Sequence, residues 1–136
     1  VNKIELSILF IVQNPPYKSE NSKLAMTHAL AGPLTELHID KEVKTAVAFV
    51  GNGVLNCIKN QKSMDHWDIT SNEQHLKNLL LSEVPIYVCK EDLEKRGINK
   101  DKLVDAKDLG GDESINIVSF TEIQNEIENA SDLLLF

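Results

Sequence analysis

Apolar residues fall along this chain in short dense runs separated by amphipathic stretches, and that alternation predicts its elements. Residues 3–13 (KIELSILFIVQ) are almost continuous in Ile, Leu, Phe and Val. That is the pattern of a strand buried on both faces, and Asn14-Pro15-Pro16 stops it because proline cannot donate to a ladder. A helix is expected from about Ser19 or Ser22, with Leu24, Thr27, His28 and Ala31 on one stripe and Gly32-Pro33 as its end. Residues 43–50 (VKTAVAFV) predict a second buried strand. Gly51-Asn52-Gly53 then turns the chain into a short helix over 54–59, and the polar stretch 62–70 reads as loop. Ser71 and Gln74 are spaced as a capping box, opening a helix to about Ser82 with Leu76, Leu79 and Leu80 inward.

The second half repeats the alternation. Residues 84–89 predict a third strand, followed by a helix from about Lys90 that closes at Gly97. Residues 99–113 are acidic, carry Gly110-Gly111 and read as loop or a single helical turn. Residues 115–119 predict a fourth strand. Ser119 and Glu122 form a second capping-box pair for a helix over 121–129, and 132–136 predict a fifth strand. Strands alternating with helices define an α/β fold with a mostly parallel five-stranded sheet and right-handed crossovers.

Length and charge narrow the functions such a fold can carry. The 136 residues suit one domain, spanning 1–136. With 14 basic against 21 acidic side chains the net charge is −7, so the basic stripe needed for direct nucleic-acid binding is not expected. The longest apolar runs, 8–12 and 84–88, are strand-length and too short to span a membrane. Two cysteines in a domain able to bury its own core are not a disulfide framework. With no basic n-region or cleavage site near the N-terminus, a cytoplasmic protein with reduced thiols is expected.

In open parallel sheets, sites gather beyond the carboxyl ends of the strands. Here those segments are 14–19, 51–57, 89–91 and 120–122, and both cysteines fall among them. Cys89 stands where a buried strand meets a helix N-terminus, whose amides and dipole favour a thiolate. Lys90 acts in the same direction as an anion-stabilising neighbour, while Glu91 and Asp92 oppose it. The competing reading is a small buried cysteine ending a strand. Cys57, one turn into its helix, either faces the same rim as a relay thiol or packs against the sheet.

Other chemistries lack a foothold. Gly51-Asn52-Gly53 belongs to no phosphate-loop pattern, no G-x-S-x-G elbow occurs, and no cofactor is expected. His28, His38, His66 and His75 show no zinc-ligand spacing, so no metal is expected either. His28 reads as packed. Trp67 with Met64 forms either an exposed apolar spot suited to a subunit contact or one buried under its loop.

Together these residues resemble a known family. The segment 87–97 (YVCKEDLEKRG) is similar to the cysteine segment of DsrE/DsrF-like proteins, with an apolar pair, Cys, a short helix and Arg-Gly. Asn14-Pro15-Pro16-Tyr17 resembles that family's first loop, 49–54 (FVGNGV) its apolar–Asp-Gly-Val turn, and 131–136 (SDLLLF) its closing strand. Asn60-Gln61-Lys62 looks like the Gly-Gln-Lys of the DsrF/TusC branch.

The resemblance implies a three-layer α/β/α sandwich, and homo- or hetero-oligomers with related subunits. It also implies that Cys89 carries a persulfide between sulfur donor and acceptor proteins, in sulfur oxidation or tRNA thiolation, as a sulfurtransferase. The branch match implies an alternative, a non-catalytic structural subunit of a DsrEFH/TusBCD-like oligomer.

Overall fold

Five parallel strands lie side by side: β1 (Ile4–Val12), β2 (Lys41–Phe49), β3 (Ile86–Cys89), β4 (Asn116–Val118) and β5 (Asp132–Leu135), in the order β4-β3-β2-β1-β5. The computed structural model describes residues 4–35 and 41–136; position 3 of the first predicted strand and His38 lie outside them. The expected α/β architecture, with its five-stranded parallel sheet, is what forms. Leu9, Phe10, Ile11 and Val12 of β1 and Val47, Ala48 and Phe49 of β2 are buried on both faces. Their near-continuous apolar runs reflect that two-sided burial.

The helices are α1 (Asn21–Thr35), α2 (Ser63–Trp67), α3 (Asn72–Leu81), α4 (Lys90–Lys95) and α5 (Phe120–Asn129). From β1 to β4 the strand order steps in one direction, so right-handed crossovers put α1, α3 and α4 on one face. The return from β4 to β5 crosses the sheet and puts α5 on the other. Thr45 donates to the Ala29 carbonyl of α1 at 2.6 Å, which fixes the orientation of β2. By alternation Val43, Val47 and Phe49 share that face. Ala46 and Ala48 then look toward α5, together with Tyr87, the register partner of Ala48, and Cys89.

Helix α1 overturns two expectations. Its buried stripe is Ser22, Ala25, Met26 and Ala29, whereas Leu24 is 47% exposed and Thr27, His28 and Ala31 are also exposed. His28 is therefore a surface residue and not a packed one. Beside Met26 the inward face carries the small Ser22, Ala25, Ala29 and Gly32, and α1 lies close to β2 at its far end: a Cβ on Gly32 would fall 2.3 Å from Thr45 Cγ2. Nor does Gly32-Pro33 end the helix, which continues to Thr35. Pro33 has no amide to give the Ala29 carbonyl four residues back, and the Thr45 hydroxyl takes that acceptor instead. Leaving such a buried carbonyl without a donor costs about 1–3 kcal/mol.

Elsewhere the differences are local. The predicted helix over 54–59 is a 3-10 helix, Gly51–Cys57, directly after β2. The expected loop 62–70 contains α2, closed by the Ser63 hydroxyl donating to the Ile69 carbonyl at 3.0 Å. Segment 99–113 holds two 3-10 turns, Lys100–Lys102 and Lys107–Leu109. Ser71 caps α3 by accepting the Gln74 amide at 3.3 Å, but Gln74's side chain donates to Asn78 and does not reach back. Ser119 accepts the Glu122 amide at 3.2 Å, as its spacing predicts. Leu133, Leu134 and Leu135 are all exposed on the edge strand β5.

Candidate functional site

The carboxyl ends of β1, β2, β3 and β4 form one rim, and the Gly51–Cys57 turn is seated against it by close backbone approach. Val50 donates to the Val12 carbonyl at 3.1 Å. A Cβ on Gly53 would sit 2.0 Å from the same oxygen, so only glycine fits there. That contact accounts for the glycine without any phosphate-binding role.

Cys89 ends β3 and occupies the N-cap position of α4. It is only 1% exposed. Its neighbours are two carboxylates. Glu91 Oε2 lies 4.0 Å from the thiol sulfur and also accepts the Phe120 amide at 2.6 Å. Asp92 accepts the Gly51 amide at 2.7 Å and the Arg96 guanidinium at 3.4 Å. Arg96 reaches on to the Asn52 side chain at 2.8 Å. Asp92 and Arg96 thus tie the β2 turn to the helix that begins at the cysteine.

The electrostatics run against the expected thiolate. Burial pushes the Cys89 thiol up, and the charges of Asp92 and Glu91 push it further. The Asp92 backbone amide alone pulls the other way, and Lys90 is an exposed neighbour that does not figure among the groups acting on the sulfur. The cause is local: α4 has only six residues, and its first turn carries two acids. Burial acts to raise Asp92 too, but Gly51, the Cys89 thiol and Arg96 together hold its carboxyl below the ordinary carboxylate value.

Cys57 is fully buried in the apolar core, and burial drives its thiol far above the ordinary value. Its carbonyl accepts the Val104 amide at 2.8 Å. The packing reading of Cys57 fits these surroundings, and a relay role would require the core to open.

Next to the Gly51–Cys57 turn lies a polar network whose members are scattered in sequence. Asn56 donates to the carbonyls of Asn14 and Gly53 at 3.0 and 2.9 Å and accepts from the Asn72 side chain at 2.7 Å. The Tyr17 hydroxyl accepts the Asn72 amide at 2.9 Å and donates to Gln61. Gln61 in turn donates to the carbonyls of Asn56 and Ile58. Trp67 and Met64 are exposed, and the Trp67 ring lies 5.4 Å from Tyr17 and 5.8 Å from His66. A groove of about 670 Å³ opens between Lys59, Lys100, Val104 and Ile115, and Cys89 is not among its lining residues. Among the described residues no three His, Cys, Asp or Glu side chains cluster as metal ligands would.

The open parallel sheet flanked by helices, with Cys89 at the carboxyl end of an inner strand, defines a three-layer α/β protein. The sequence profile of the DsrE/DsrF-like family matches residues 6–136, and the chain belongs to that family. Several solved structures share the fold, among them the following three. The ychN protein from E. coli is 21% identical, with 96% of this chain and 99% of that one aligned at a TM-score of 0.77. MTH1491 from Methanobacterium thermoautotrophicum, titled a protein of unknown function, is 13% identical over 96% and 99% of the two chains at 0.65. BT1422 from Bacteroides thetaiotaomicron, titled likewise, is 14% identical over 95% and 94% at 0.59. No curated relative matches the sequence.

Proposed function

We propose that the protein is a sulfur-relay subunit in which Cys89 carries a persulfide. The observation that carries this reading is the position of Cys89: it ends an inner strand at the rim and caps α4, in a chain belonging to the DsrE/DsrF-like family. The reaction is a thiol exchange. The Cys89 thiolate attacks the outer sulfur of a donor persulfide, and the donor's S–S bond breaks. The donor's inner sulfur leaves as a thiolate and takes up a proton, and Cys89 holds the transferred sulfur in a new S–S bond. A second thiol, on an acceptor protein, takes that sulfur by the same step. No net oxidation occurs, so no further reagent is needed.

The thiol proton has a nearby acceptor in Glu91, whose Oε2 lies 4.0 Å from the sulfur. Exposed Met64 and Trp67 at the rim, and Leu133, Leu134 and Leu135 on the open edge, offer apolar surface for related subunits. Among the described residues no helix is long and apolar enough to cross a membrane, and reduced thiols suit a cytoplasmic setting.

A second reading, a non-catalytic structural subunit, is favoured by one observation: Cys89 is 1% exposed, and its burial pushes the thiol up. The two readings separate on sulfur uptake. Incubation with inorganic polysulfide should add the mass of sulfur to the wild type and to Cys57→Ser, and not to Cys89→Ser. Absence of the adduct from the wild type favours the structural reading.

A further inference from the structure

A residue at the carboxyl edge of a parallel sheet, where the chain turns from strand to helix, ordinarily has solvent on one side. Cys89 does not, and the side chain beside its sulfur is Glu91. The same Glu91 oxygen accepts the Phe120 amide at 2.6 Å, so the carboxylate spans from α4 to α5 across the thiol. Phe120 begins α5, and its amide is one of the helix-end donors with no intrahelical acceptor. Ser119 caps Glu122 and leaves the Phe120 amide to Glu91. Both ends of this bond are at the surface, since Glu91 is exposed and Phe120 is 53% exposed. Water can therefore replace either partner when the bond breaks.

We infer that Glu91 is a latch: its hydrogen bond to the Phe120 amide holds the Cys89 thiol closed, and thiol chemistry at Cys89 proceeds from the state in which that bond is broken. This regulation rests on Cys89 being the reacting sulfur. Glu91 acts through the position of the closure and not on the reacting atoms. Reactivity of the closed thiol then measures the population of the open state.

The latch is tested by alkylation of Cys89 with iodoacetamide, followed by peptide mass, together with hydrogen exchange at the Phe120 amide. Glu91→Ala removes the acceptor. Phe120→Pro removes the donor at a first helical position, which tolerates proline. Ser119 already has the extended backbone (φ −69°, ψ 159°) that a following proline requires. Phe120→Ala removes the ring but keeps the amide.

Glu91→Ala and Phe120→Pro should each alkylate Cys89 roughly tenfold faster, as loss of a charge-assisted hydrogen bond implies. Phe120→Ala should match the wild type. Wild-type rates in both Glu91→Ala and Phe120→Pro, with fast exchange at the Phe120 amide of Glu91→Ala, would overturn the latch. Polysulfide loading of the same variants keeps the two claims apart. Fast alkylation without sulfur uptake sinks the carrier role and leaves the latch, whereas sulfur uptake at unchanged alkylation rates does the reverse.

Discussion

Cys57 and Cys89 belong to one continuous apolar core, yet their surroundings differ in kind. Cys57 is enclosed by the 3-10 turn it ends, and burial alone sets its chemistry. Cys89 has the core behind it and, in front, a polar lid of Asp92, Glu91, Arg96 and the Phe120 amide. Equal burial therefore does not mean equal availability. A thiol closed in by side-chain hydrogen bonds is released by breaking one or two of them, whereas a thiol closed in by packing is released only by unfolding.

The contrast can be broken most severely at the turn that carries Cys57. Gly53→Ala puts a methyl group against the Val12 carbonyl, a backbone atom that cannot move aside. The expected loss is about 3 kcal/mol or more, measured by urea denaturation, with Cys57 becoming alkylatable as the turn detaches.

A smaller effect separates the two thiols by pH. A thiol whose folded value is raised contributes stability that is complete below the unfolded value and is lost as pH rises above it. For Cys57 the loss begins near the ordinary value of 9.0 and approaches about 1.4 kcal/mol per pH unit. Thermal melts should show Cys57→Ala with a flatter decline above that pH than the wild type. An identical slope in the two proteins would mean that Cys57 is not enclosed as described.

The smallest change sharpens Cys89. Asp92→Asn keeps an acceptor for the Gly51 amide and removes the charge facing the sulfur. The thiol should titrate lower, and alkylation near neutral pH should quicken about three- to tenfold, with little change at Cys57. A rate that does not move would show that burial, and not the carboxylate, governs Cys89.

Much of the fold was legible because strand runs and caps are local signals. All five strands, the Ser71 and Ser119 caps and the inward Leu76, Leu79 and Leu80 follow from spacing alone. The inner face of α1 was not legible from the position of Leu24. Close approach to β2 at the far end of the helix selects Gly32, and Leu24 lies outside. Gly32-Pro33 reads as a stop until Thr45, distant in sequence, supplies the donor that proline lacks. At the site, the strand-to-helix junction located Cys89, and the acids at 91 and 92 were visible beside it. Their engagement with Gly51 and with Phe120 was not visible, because both partners come from other strands' ends. The Tyr17–Asn56–Gln61–Asn72 network is hidden for the same reason.

The central claim, that Cys89 is the sulfur-carrying residue, is tested most directly by mapping where transferred sulfur resides. The protein is loaded with polysulfide under native conditions, its persulfides are trapped by alkylation, and its peptides are weighed. The account predicts additional sulfur on the peptide containing Cys89 and none on that containing Cys57. Sulfur on Cys57 instead, or on neither peptide, would contradict it.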